Sequence, residues 1–321
     1  MMPKTLMCDP KLFEKDFSGH VYVVTGANSG SGFATTKQLA KQGAIVVGAC
    51  RRVDAGKEAF SGLENLSGSV EIMELDLASL ASVRRFADAF LAKYERLDGL
   101  VNNAGVMHTA EGRTEDGFET QFGINYLGHF LLTELLLDTL QASAPARIVN
   151  VSSVAHAGMS GIYGEIDFDD LHFDKKEYHA GQAYANSKLA NVLHALDLSR
   201  RLEGTGVSAF SVHPGWIRSN LAQGPLRFVQ NVLLRPFSGL LGTMSWFEGA
   251  QSSLHCLLDD DAPNHSGEYY SQNSILYPNK ENRPGGWPMP SPHPQARDTE
   301  LAEKLYHVSM ELVGLKQPSG P

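Results

Sequence analysis

The stretch from His20 to Arg52, HVYVVTGANSGSGFATTKQLAKQGAIVVGACRR, constrains the fold of this chain more than any other. Residues 21–24 form a short apolar, β-branched run, long enough for one buried strand. Thr25-Gly26-Ala27-Asn28-Ser29-Gly30-Ser31-Gly32 follows, a loop too rich in glycine to read as regular structure. Residues 33–42 read as a helix stopped by Gly43, and residues 44–49 as a second buried strand. The unit is β-loop-α-β. Glycines at 26, 30 and 32 let the chain turn tightly and let a pyrophosphate approach the backbone. The phosphate then rests at the helix N-terminus, where free N–H groups and the helix dipole favour negative charge. Asn28, Ser29 and Ser31 complete this candidate cradle.

The glycine spacing is GxxxGxG, and no Gly-Lys-Ser/Thr follows, so a P-loop is excluded. Nucleotide choice is read at the end of the second strand, where an NAD site wants an acidic residue for the ribose hydroxyls. This chain has Cys50-Arg51-Arg52 there. An arginine pair suits a 2′-phosphate through charge-assisted, bidentate hydrogen bonds. The plainer alternative is two solvated arginines at a strand end. The expected cofactor is NADP(H).

A chain of 321 residues with 42% hydrophobic and 20% charged residues has ample material for a large core. Its net charge of −9 argues against nucleic-acid binding as the main role. Cys8, Cys50 and Cys256 are too few and too scattered for a disulfide framework or a metal site, and a reducing, cytoplasmic setting is expected. Residues 1–19 read as a loose leader without the apolar core of a secretory signal. No run of about eighteen apolar residues occurs, so no membrane-spanning segment is expected.

Further along, residues 54–63 read as a helix, residues 70–75 as a third strand, and Ser79 as the N-cap of a helix through Tyr94. Residues 97–101 read as a fourth strand ending in Asn102-Asn103-Ala104-Gly105. A long helix is expected over 116–140, a fifth strand over 146–151, a polar excursion over 154–179, and a helix over 182–202. A strand over 207–212 then leads into His213-Pro214-Gly215. Helical pieces over 219–247, a helix over 248–258, a last strand over 267–271, an irregular loop over 278–297 and a closing helix over 299–313 complete the reading. Strands alternating with helices predict an α/β, doubly wound parallel sheet with helices on both faces. Ligands bind outside the carboxyl ends of such strands. The glycine turn, Asn102-Asn103-Ala104-Gly105, Ser152-Ser153 and Pro214-Gly215 all fall there. No linker divides the chain, so residues 20–321 are expected to form one domain with a lid at about 220–247.

Tyr184-Ala185-Asn186-Ser187-Lys188 places a phenol and an ammonium four residues apart, on one face of a helix. A free tyrosine titrates near pH 10, and an adjacent ammonium favours its phenolate, which makes Tyr184 a candidate general acid/base. Ser153, at the end of the preceding strand, can hold a carbonyl oxygen; its plainer role is to cap the strand end. Asn125 is a poor helix former set among apolar neighbours, which points to a buried asparagine needing partners rather than a surface one.

Taken together, Thr25-Gly26-x-x-x-Gly30-x-Gly32, Asp76-Leu77, Asn102-Asn103-Ala104-Gly105, Asn125, Ser153, Tyr184-x-x-x-Lys188 and Pro214-Gly215 resemble the short-chain dehydrogenase/reductase family, in family order across residues 20–220. Ala49-Cys50-Arg51, Asn125-Tyr126-Leu127-Gly128-His129-Phe130, Asn150-Val151-Ser152-Ser153, the insert before Tyr184 and His213-Pro214-Gly215 resemble its retinol dehydrogenase-like branch. The resemblance implies a Rossmann fold. It also implies that Ser153 and Tyr184 bind and protonate a carbonyl oxygen, that Lys188 holds the nicotinamide ribose, and that Asn125 positions a water. Asp76 and Leu77 would flank the adenine, and Ile217 and Ser219 the carboxamide. Ser31 stands where the family usually has an apolar residue. Helices such as 116–140 and 182–202 form homodimer faces in relatives.

The expected function is NADP(H)-dependent hydride transfer to or from a small lipophilic carbonyl or alcohol. Apolar residues at 226, 229 and 233 match one helical face of the lid, and its arginines would allow peripheral contact with an anionic membrane. The alternatives are a non-catalytic NADP(H) sensor, against which Tyr184 and Lys188 weigh, and a protochlorophyllide reductase-like enzyme. The latter would carry a cysteine soon after the lysine, where this chain has Leu189-Ala190-Asn191.

Overall fold

The computed structural model describes residues 4–159, 161–217, 243–273 and 286–316. Its strands are β1 (Val21–Thr25), β2 (Ile45–Cys50), β3 (Ser69–Glu74), β4 (Gly99–Asn102), β5 (Ala146–Val151), β6 (Val207–His213) and β7 (Tyr269–Ser271). They form one sheet in the order β3-β2-β1-β4-β5-β6-β7, with every neighbouring pair parallel. The direction of winding reverses between β1 and β4, and the crevice above that point is where such folds take their ligands. The expected doubly wound α/β architecture is therefore present.

Alternation along the strands builds the two layers. Val21 and Val23 of β1 face one core, and Tyr22 and Val24 face the other. The first core is completed by α3 (Leu80–Leu91), α5 (Gly128–Ala142), α6 (Ala180–Arg201) and the closing α8 (Thr299–Leu312), with Phe86, Leu131, Leu193 and Leu305 fully buried. The second is completed by α1 (Gly30–Lys41) and α7 (Trp246–Leu258), through Leu39, Leu254 and Leu257. Burying each such side chain contributes about 1.5–3 kcal/mol. The helix α8 lies across α5 and α6: Tyr306 packs on Phe130 at 5.9 Å between ring centroids, and the Arg201 guanidinium sits 4.1 Å over the Tyr306 ring.

Several expectations need correction. The glycine turn is not wholly irregular, because α1 already begins at Gly30. First-turn N–H groups have no intrahelical partner, so glycine is tolerated there. The helix expected over 116–140 starts later and in pieces: α4 (Thr120–Phe122), a π-turn (Gly123–Leu127), then α5. Its start is set by the Glu119 carboxylate, which accepts from the N–H groups of Gln121 and Phe122. Asp116 is engaged elsewhere, accepting from Leu80 N at the head of α3. The helix α2 (Val53–Phe60) and α3 both end about three residues before the expected points.

The leader is not loose from residue 4 onward. Cys8 and Leu12 are buried, and a 3-10 turn spans Pro10–Glu14. Two fully buried glutamines hold its backbone: Gln251 Oε1 accepts from Cys8 N at 2.9 Å, and Gln272 bonds both Leu6 N and Leu6 O at 2.7 Å. The lid expected at 220–247 lies outside the described residues except for 243–247. There Met244 bridges to Ile217, and α7 begins two residues earlier than expected.

Candidate active site

The site grows from the carboxyl ends of β1, β4 and β5 and from α6. Thr25, the last residue of β1, is fully buried, and its Oγ1 accepts from the backbone N–H groups of Asn103 and Ala104, both at 2.9 Å. The Asn103 side chain donates to Thr25 O at 2.8 Å, while its Oδ1 accepts from Ser31 Oγ at 2.8 Å. Ser31, the departure from the family pattern, thus ties the glycine turn to the loop after β4. Gly32 is required there: a Cβ would lie 2.5 Å from both Asn103 Nδ2 and Gly26 O. No side chain caps α1, whose Ncap Ser29 is extended, so the helix head presents its N–H groups toward the crevice.

Asn125 is fully buried within the π-turn. Its Oδ1 accepts from Val106 N at 2.8 Å, and its Nδ2 donates to Val106 O and to Ser187 Oγ, both at 3.0 Å. The sequence reading of a buried asparagine with partners holds. Ser187 in turn donates to Tyr184 O at 2.8 Å, so Asn125 braces the turn of α6 that carries Tyr184. Gly105 lies between Asn125 and Lys188; a Cβ there would come within 3.0 Å of Asn125 Oδ1 and 3.6 Å of Lys188 Nζ.

Tyr184 and Lys188 share one face of α6, with Lys188 Nζ 5.7 Å from the centre of the Tyr184 ring. Both are buried. Lys188 Nζ donates to Val151 O at 2.9 Å, and burial pushes its ammonium down to about 7. The Ser152 hydroxyl fixes α6 by donating to Lys188 O at 2.7 Å. Ser153 Oγ accepts from Ala155 N at 3.2 Å, so it does cap, and its proton remains to be donated. His108, at a positive φ of 53°, sets its ring edge-on to Tyr184 with centroids 6.2 Å apart.

The other expected positions sit along the same edge of the sheet. Arg51 and Arg52 are exposed just beyond β2, and among the described residues neither has an ion-pair partner. Asp76 Oδ1 accepts from Ala78 N, and Leu77 is buried beneath Gly128. Gly215, after Pro214, has a φ of 79°, and Ile217 packs against Gly249 of α7. Ser219 lies outside the described residues.

A family model described as short chain dehydrogenase matches residues 20–164. Over 300 residues the chain is 45% identical to Retinol dehydrogenase 12 of Bos taurus, spanning 93% of this chain and 87% of that one. The chain belongs to the short-chain dehydrogenase/reductase family. Within it the chain is retinol dehydrogenase-like: Retinol dehydrogenase 13 of Homo sapiens is 41% identical over 94% of this chain and 86% of its own. Among solved structures, an uncharacterised Mycobacterium paratuberculosis protein matches with a TM-score of 0.72 and 33% identity, over 95% of this chain and 97% of its own. The Pseudomonas aeruginosa RhlG/NADP active-site complex matches with a TM-score of 0.61 and 25% identity, over 80% and 95%.

In this short-chain dehydrogenase/reductase, Thr25, Ser187 and His129 hold the site through contacts that motif spacing alone does not assign. His129 carried a readable signal: a histidine inside an apolar helical stripe must find partners for its ring nitrogens.

Proposed function

We propose that the protein is an NADP(H)-dependent oxidoreductase that transfers a hydride between the nicotinamide and a lipophilic aldehyde, ketone or alcohol, retinoid-like in character. The observation that carries this reading is the packing of Asn125 and Lys188 around Gly105, with the Tyr184 ring 5.7 Å from Lys188 Nζ, at the same sheet edge as the uncapped head of α1. The residues fit a dinucleotide. The α1 head and the turn of Gly26, Asn28, Ser29, Gly30, Ser31 and Gly32 suit a pyrophosphate. The free guanidinium groups of Arg51 and Arg52 suit a 2′-phosphate, Asp76 and Leu77 the adenine side, and Asn103 to Gly105 with Pro214, Gly215 and Ile217 the nicotinamide side. Lys188 makes one bond to Val151 O, which leaves donors for ribose hydroxyls.

When bound, the cofactor supplies or takes the hydride. The chain supplies orientation and the proton. Ser153 holds the carbonyl oxygen by donating a hydrogen bond to it and keeps its proton. Tyr184 Oη delivers or removes the proton at that oxygen. Lys188 Nζ stands 5.7 Å from the Tyr184 ring centre, where a positive charge favours the phenolate and so eases proton exchange at Oη. Asn125 keeps the Tyr184 turn in place through Ser187. Retinol dehydrogenase relatives and an apolar segment after Gly215 support a lipophilic substrate. Three free cysteines agree with a cytoplasmic setting, with peripheral membrane contact through the lid as part of the same proposal.

The test is a series of aldehydes of rising chain length, ending in retinal, followed by NADPH absorbance. KM should fall with apolar length, since buried apolar area contributes about 25 cal/mol per Å². A KM indifferent to length would overturn the lipophilic assignment.

A further inference from the structure

The catalytic elements are joined by a buried imidazole that the proposed chemistry does not use. His129, at the start of α5, is 1% exposed. Its Nδ1 lies 3.0 Å from Asn125 O and its Nε2 lies 2.8 Å from Thr25 Oγ1. The proton positions follow from counting. A carbonyl oxygen only accepts, so Nδ1 carries the proton and donates to Asn125 O. Thr25 Oγ1 already accepts from Asn103 N and Ala104 N, which occupies both lone pairs. Its hydroxyl proton must therefore be given away. The two acceptors in reach are His129 Nε2 at 2.8 Å and Val101 O at 3.4 Å, and the shorter, better bond goes to the imidazole. The ring is then neutral, in the Nδ1–H form, with both nitrogens satisfied.

We propose that His129 is a positioning residue for hydride transfer, holding the Thr25 hydroxyl and the Asn125 carbonyl in one fixed arrangement. The Thr25 end sets the loop of Asn103 to Gly105 and, through Asn103 and Ser31, the glycine turn. The Asn125 end sets the π-turn whose side chain braces Tyr184 through Ser187. One ring therefore couples the dinucleotide side of the crevice to the proton-transfer side. Two physical facts keep it neutral: full burial opposes its charged form, and the nearby Lys188 ammonium repels a second cation. The irregular helix fits the role, since π-turns concentrate at functional sites.

This inference rests on the hydride-transfer reading, and its test separates the two. Asparagine at 129 keeps a group where Nδ1 stands, and glutamine one where Nε2 stands. His129→Asn should keep kcat within threefold and weaken NADPH binding at least fivefold, measured by quenching of intrinsic fluorescence. His129→Gln should do the opposite, keeping NADPH affinity within twofold and lowering kcat at least tenfold on an aldehyde that the wild type reduces. His129→Leu should lose both. A merely structural histidine would lower thermal stability in all three while leaving kcat per NADPH-binding site and NADPH affinity unchanged, and that result overturns the proposal. Imidazole ¹⁵N spectra of the wild type need neither substrate nor variant. They should show a single Nδ1–H tautomer that does not titrate between pH 6 and 9. An Nε2–H or doubly protonated ring would overturn the proposal even if no aldehyde proved to be a substrate. A wild type that binds NADPH but reduces nothing would sink the hydride-transfer reading instead.

Discussion

Lys188→Met should give a more stable protein that no longer turns over. The reasoning starts from the buried ammonium, which burial lowers from 10.5 to about 7. Each pKa unit corresponds to about 1.4 kcal/mol, so holding the charge in the folded state costs on the order of 5 kcal/mol. Methionine keeps most of the apolar stem. It gives up the bond to Val151 O, worth about 1.5–3 kcal/mol for a charged donor. That carbonyl is not orphaned, because Asn191 Nδ2 also donates to it at 3.1 Å. The net gain is then on the order of 2–4 kcal/mol. The sign with pH follows from linkage. Below pH 7 both folded and unfolded lysine bind the proton, and the penalty is fully present. From pH 7 to 10.5 the unfolded state binds more protons, so wild-type stability rises with pH relative to the variant. Above 10.5 the penalty is gone. Urea unfolding of both proteins at pH 6.5 and 9.5 checks this, since titrating groups remote from Lys188 cancel in the difference. The advantage of methionine should shrink by about 3 kcal/mol between those pH values. A variant less stable than wild type at pH 6.5, or an advantage that does not change with pH, would refute the buried-charge argument.

Two further outcomes are expected. NADPH should bind more tightly than NADH, and Arg51→Asp should reverse much of that preference, at about 1.5–3 kcal/mol for each lost charged contact; equal calorimetric affinities in the wild type would remove the argument. Gln272→Leu should destabilise the fold by about 2–4 kcal/mol, because it strips the Gln272 partner from Leu6 N and Leu6 O, and should expose residues 4–9 to proteolysis; unchanged melting and digestion would contradict the docked leader.

Much of the fold is legible in the chain because local chemistry decides it. The strand-turn-helix unit over 20–52 needs only apolar runs, glycines and a helix stop, and the strand ends over 146–151 fall where the apolar run ends. The apolar neighbours of Asn125 correctly announce a buried asparagine. What escapes the reading depends on distant partners. The leader is held by Gln251 and Gln272, 243 and 266 residues away from Cys8 and Leu6, and nothing within residues 1–19 signals that. The late start of the 116–140 helix comes from the Glu119 cap and from the Leu80 amide that takes Asp116. Helical periodicity does not register either one. Residue type alone leaves Lys188 an ordinary ammonium, whereas its burial in the folded core pushes its pKa down.

The central claim is that Tyr184 exchanges the proton with a carbonyl oxygen while NADPH supplies the hydride. The direct measurement compares wild type and Tyr184→Phe for NADPH affinity and for NADPH oxidation with retinal or another long aldehyde. The account predicts unchanged NADPH binding and a loss of turnover of at least about 100-fold, the usual scale of general acid/base catalysis. A phenylalanine variant that retains near-full turnover would contradict it.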